Sequence, residues 1–172
     1  IYGLPDSYSF LGQGYVGLIP VPVILFAIIA LIASFILNKT YFGRYIYATG
    51  GNAETARLAG LNVKRLQIIV YAICGFVTAI ASLIMLSRVN SAQPAAGSTY
   101  AFDCMTAAVL GGVSFSGGEG KVSGAVIGVI IIAVLGNALV LMNVNEYYQS
   151  VFKGILLIFA VALDNIQIKE KR

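Results

Sequence analysis

Two ionisable residues, Asp103 and Lys153, stand in otherwise apolar stretches of this 172-residue chain. An ionisable group at membrane depth costs several kcal/mol and usually faces a bundle interior or water. Asp103 opens its apolar stretch, so a place at the outer interface suits it. Lys153 lies about two turns into its own stretch, and its long stem can snorkel outward. A mutual ion pair is a further arrangement open to them. Asn137 is polar at similar depth and either bonds a neighbouring helix or lines a cavity.

Little else in the chain could do covalent chemistry. There is no His, and no Cys and carboxylate cluster has metal-ligand spacing. Cys74 and Cys104 sit in apolar context and read as small buried thiols. The Gly-rich turn Ser114 to Gly120 (SFSGGEG) lacks the Gly-Lys-Ser/Thr ending of a phosphate-binding loop. Neither a nucleophile elbow nor paired carboxylates are present. The sequence therefore predicts a protein with no catalytic residues, no cofactor, no metal and no ATPase site of its own.

The elements that must position these residues are membrane helices. Of all residues, 59% are apolar and 10% are charged, and the mean hydropathy is +0.88. Soluble domains carry about 25% charged residues. The net charge of +4 is too mild to point to nucleic acid. About 20 apolar residues are needed to cross the hydrocarbon core. Ile19 to Leu37, Leu66 to Leu86, Val122 to Met142 and Tyr147 to Leu163 meet that need, the last with Lys153 as its only charge. Tyr100 to Val113 is apolar but short, which fits a half-helix or broken helix sheltered by protein. Ser91 to Thr99 reads as loop. The expectation is an all-α, polytopic transmembrane bundle of about four full spans and one short helix.

Positive charge favours the cytoplasmic side. Residues 38–65 hold Lys39, Arg44, Arg57, Lys64 and Arg65 against Glu54, and the tail holds Lys169, Lys171 and Arg172. Both segments fall inside if the short helix crosses too. Residues 1–18, 87–99 and 143–146 then lie outside.

Within 38–65, Asn52 to Gly60 has the grammar of a short helix. Asn52 suits an N-cap, Glu54 and Arg57 suit the two ends of a helix dipole, and Gly60 suits a C′ stop. This is either a solvated connector or a helix that docks into another protein. In the third long run, Gly124, Gly128 and Gly136 put small residues on or near one face, a pattern that lets helix backbones approach in lipid.

Three segments resemble bacterial ABC importer permeases for sugars: GRYIYATGGNAETARLAGLNV, SAQPAAGSTYAFDCMTAAVLGGVSFSGGEGKVSG and YYQSVFKGILLIFAVALD. They are similar to the ribose, galactose and xylose permease family, itself related to branched-chain amino acid permeases. GGVSFSGG and KGILLIFAVALD look most like the galactose/methyl-galactoside member. The resemblance runs continuously over about residues 40–165 and is specific for the family rather than for the sugar. It implies that residues 1–172 are the C-terminal half of a single transmembrane permease domain in the bacterial inner membrane. The start at Ile1, with neither an initiator Met nor a signal-peptide pattern, agrees with a piece of a longer protein.

The resemblance further implies an ATPase subunit at the cytoplasmic face, an extracytoplasmic sugar-binding protein and a second permease subunit forming a homodimer. Gly51, Asn52, Glu54, Ala56, Arg57 and Gly60 would make the ATPase-coupling helix. Asn90, Ser91, Gln93, Asp103, Asn137 and Lys153 would be substrate-path candidates. Other importers carry Glu-Ala-Ala and then, after three residues, Gly; here five residues separate Glu54 from Gly60. A same-fold permease for branched-chain amino acids or another small solute is the first alternative, and a non-transport membrane scaffold the second.

Overall fold

The structure, a computed structural model, describes residues 6–91 and 97–170. Gln93 lies outside the described residues. The chain forms two compact units. Residues 1–45 and 54–96 make the first, and residues 46–53 and 97–172 make the second.

The first unit is built on two long helices. α2 (Val21–Lys39) begins just after Pro20, with a second Pro in its first turn, where a missing N–H costs nothing. Thr40 ends it. The Thr40 backbone N–H and hydroxyl both donate to the Ile36 carbonyl, at 3.3 and 2.6 Å. The same hydroxyl accepts from Gly43 N–H at 3.3 Å, so one threonine closes α2 and opens α3 (Tyr41–Gly51). α5 (Val63–Val89) starts earlier than its apolar run, because Asn62 Oδ1 accepts from Arg65 N–H at 3.1 Å. It ends at Asn90, whose φ of 51° is one of the left-handed conformations that asparagine tolerates.

Ahead of α2 come α1 (Asp6–Gln13) and a two-stranded hairpin, β1 (Tyr15–Val16) and β2 (Ile19–Pro20). Composition gives little sign of either. α1 packs on the C-terminal end of α5, where Gly12 N–H donates to the buried Ser87 hydroxyl at 2.8 Å. A Cβ on Gly12 would lie 2.5 Å from Arg88 N, so only glycine fits. Ser87→Ala should strip the acceptor from a part-buried N–H and cost about 1 kcal/mol, read as a lower thermal midpoint of the purified full-length protein.

The second unit contains α6 (Tyr100–Leu110), α7 (Val122–Leu141) and α8 (Glu146–Glu170). α6 has 11 residues, about 16 Å at 1.5 Å per residue. That is short of a hydrocarbon core of about 30 Å, as the sequence predicts. α7 lies directly on α6. A Cβ built on Gly128 would overlap the Ala107 carbonyl oxygen, and one built on Gly124 would overlap that of Gly111. Ala107 on α6 and the cap residue Gly111 four positions on thus face two small residues four apart on α7.

Among the described residues, three helices are long and apolar enough to cross a membrane: α2, α5 and α7. α8 covers the fourth predicted run and is 25 residues long. α2 has no buried residue at all. Apolar helices left this bare would aggregate in water, and lipid or further helices must cover them. For the same reason Cys74 and Cys104 are free and exposed, which corrects their expected burial. In such a chain an apolar setting means lipid-facing or partner-facing surface rather than a core.

Candidate functional site

Three sites emerge, each from short-range physics. The first is α4 (Ala53–Leu58), six residues with Glu54 in the first turn and Arg57 in the last. Asn52 directly precedes it, and its N–H donates to the Ala48 carbonyl at 3.2 Å. Gly60 N–H donates to Arg57 O at 3.0 Å and Leu61 N–H to Ala56 O at 3.1 Å. This is a Schellman stop with Gly60 at C′. Its φ of +89° is one that a β-carbon resists. Glu54 and Arg57 pair loosely at 3.9 Å, both well exposed, a contact worth at most a few tenths of a kcal/mol. Ala56 is 4% exposed whereas Leu58 is 80% exposed. α4 therefore carries a bare leucine on a short, rigidly terminated helix. Beside it, Arg57, Gly60, Leu61, Asn62, Val63 and Lys64 line an open cavity of about 360 Å³.

The second site is the ion pair. Lys153 Nζ donates to Asp103 Oδ2 at 2.8 Å, with each side chain 21% exposed. The sequence leaves this pair open as one arrangement among others; the structure makes it. Asp103 lies in the first turn of α6, where the helix dipole also favours an acid. Lys153 sits on the face of α8 that also carries Leu156, Leu157, Ala160 and Asp164, all at least partly covered.

The third site is the Gly-rich turn, which sequence reading treats only as a failed phosphate loop. Asp164 Oδ2 accepts from the Ser114 hydroxyl at 3.1 Å and from Phe115 N–H at 3.0 Å. Tyr47 on α3 donates its hydroxyl proton to the Gly120 carbonyl at 2.8 Å. Tyr47, Gly118, Gly120, Lys121, Gly124 and Ile127 are among the residues lining an open cavity of about 620 Å³. Asp164, Tyr47 and Ser114 are absent from the sequence-derived candidates. The only signal for them is the polarity of Asp164 at the end of an apolar helix.

The remaining candidates scatter. Asn90 is exposed as the left-handed cap of α5, a backbone role that suits an asparagine. Ser91 follows it and is partly covered. Asn137 is exposed on α7, and nothing lies within 4 Å of a Cβ built on the adjacent Gly136. Among the described residues no group of three metal-ligating side chains exists.

Residues 3–161 match the family described as the branched-chain amino acid transport system / permease component. The chain belongs to this permease family. Its relatives include the ribose import permease proteins of Haemophilus influenzae, 45% identical over 160 residues, and Bacillus subtilis, 45% identical over 166. These alignments cover 93% and 95% of this chain and 50% and 52% of those proteins. The xylose transport system permease protein of Escherichia coli is 44% identical over 147 residues, covering 86% of this chain and 37% of that one. The chain thus spans about half the length, or less, of the curated relatives it matches. No solved structure matches it significantly. As a family member with helices of spanning length, it is a multi-pass protein of the cytoplasmic membrane.

Proposed function

We propose that this chain is the C-terminal part of a permease subunit that moves a monosaccharide into the cytoplasm, driven by a partner ATPase. The observation that carries the reading is α4. A helix of six residues has too little surface to stabilise itself, yet its C-terminal end is closed by a Schellman stop and it presents Leu58 bare. That is the form of a knob for a groove in another protein. Membership in a transport-system permease family, with relatives that are ribose import and xylose transport permeases, supports reading that protein as an ABC ATPase. ATP-driven closure of two ATPase subunits would move α4 and switch which side of the bundle is open. An extracytoplasmic binding protein would deliver the sugar near residues 87–99, and a second permease subunit would complete the path.

The ion pair supports a neutral cargo. A bound amino acid needs partners for its carboxylate and ammonium groups, but Asp103 and Lys153 neutralise each other. The family description keeps a branched-chain amino acid as the second reading. For the sugar itself, likeness to the galactose/methyl-galactoside type stands beside relatives that import ribose and transport xylose, and monosaccharide is the class they share.

The test is made in the full-length permease. Glu54→Lys and Gly60→Leu should reduce ATPase co-purification and sugar uptake by about tenfold or more, the effect of losing one well-buried contact of about 1.4 kcal/mol. Uptake and co-purification at wild-type levels in both variants would remove α4 from the coupling role.

A further inference from the structure

Where the chain leaves α3, it lies backbone on backbone against the Gly-rich turn. A Cβ on Gly50 would stand 2.7 Å from Gly118 N. One on Gly117 would stand 2.6 Å from Gly50 O, and one on Gly118 would stand 2.7 Å from Gly51 Cα. Four glycines meet with no side chain between them, and the turn needs φ near +87° and +80° at Gly117 and Gly118.

Such a contact cannot be squeezed, and a packed contact of this kind transmits displacement rather than absorbing it. The turn is itself closed by Ser114 N–H donating to Glu119 O at 3.0 Å. It is fastened on two further sides, by Tyr47 to Gly120 and by Asp164 to Ser114 and Phe115. The bonds to the Asp164 carboxylate are charge-assisted and correspondingly strong. Residues 46–53, which immediately precede the body of α4, group with α6, α7 and α8 in one compact unit. A loop that merely joined two spans would need none of these fastenings.

We propose that the turn Ser114–Gly120, clasped to Gly50–Gly51 and tied by Asp164 to α8, carries movement of the coupling segment into α6, α7 and α8. Asp164 is its positioning residue and touches no substrate. The proposal rests on the coupling role assigned to α4 above. The wild-type importer separates the two: if it shows no ATP-driven sugar uptake, the coupling reading fails, and if it does, the variants below test the clasp alone.

The experiment reconstitutes the full-length permease with its ATPase and binding protein and measures ATP hydrolysed per sugar taken up. Asp164→Leu removes the acceptor. The ATPase should still co-purify and hydrolyse ATP, while ATP spent per sugar rises about fivefold or more, the size of an ordinary coupling between sites. Asp164→Asn keeps an acceptor oxygen and should stay near the wild-type ratio. A wild-type ratio in Asp164→Leu, equal losses in the Leu and Asn variants, or loss of ATPase co-purification would each overturn the proposal. If Asp164→Leu does not yield a folded complex, Tyr47→Phe decides. It deletes one hydroxyl and should shift the ratio the same way by a smaller factor, and an unchanged ratio there would overturn the proposal.

Discussion

Valine at Gly128 should prevent α7 from seating on α6 and leave the full-length permease poorly folded. The added Cβ would overlap the Ala107 carbonyl oxygen and come within 2.9 Å of Gly111 N. Both obstacles are backbone, so no side chain can swing aside. α6 would have to move as a body, and a gap of even an ångström forfeits much of the dispersion energy of the contact. In lipid that loss is not offset by hydrophobic burial, because lipid is as apolar as the helix. Overpacking of this kind is expected to cost about 3 kcal/mol or more. Gly75 on α5 supplies the control, since nothing lies within 4 Å of a Cβ there. Gly75→Ala should stay within about 1 kcal/mol of wild type. Thermal unfolding of both variants in detergent, with size-exclusion profiles, measures the difference. A Gly128→Val protein with an unchanged midpoint would show that α6 and α7 do not meet at these residues.

The second large effect concerns the ion pair. Asp103→Ala leaves the Lys153 ammonium without its partner, and Lys153→Met does the same to the Asp103 carboxylate. Breaking a fully buried pair costs about 3–5 kcal/mol because a charge is stranded. At 21% exposure on each side, partial solvation lowers the expectation to about 2 kcal/mol per single variant. The double variant strands nothing. It should therefore be more stable than either single one, with a coupling energy of about 2 kcal/mol or more. Midpoints for the wild type, two singles and the double complete the cycle. Additive losses would mean that the two side chains act independently and that α6 and α8 are held by packing alone.

How much of this was legible beforehand differs by residue. The apolar runs and the shortness of α6 follow from length and composition, because the bilayer imposes both on any spanning helix. The C-terminal end of α4 follows from Gly60, whose backbone freedom acts locally. Asp103 and Lys153 stand out as costly charges, but their separation of 50 positions hides the pairing. The clasp is less legible still. A backbone-to-backbone contact between Gly50 and Gly118 leaves only glycines in the sequence, and glycine also marks an ordinary turn. α1 is short and weakly apolar and the hairpin strands have two residues each, too few for periodicity to show. Asn90 carries two readings at once, since a polar side chain near a proposed mouth also serves as a left-handed helix cap.

The proposed role, moving a neutral sugar under the drive of an ATPase, has a decisive consequence in transport. The most direct measurement is uptake of labelled ribose, xylose, galactose and leucine into proteoliposomes. These would hold the full-length permease, its ATPase and its binding protein, with ATP inside. The account predicts that at least one sugar accumulates only when ATP is hydrolysed, and that leucine does not. Accumulation of leucine alone, or sugar entry equally fast without ATP, would contradict it.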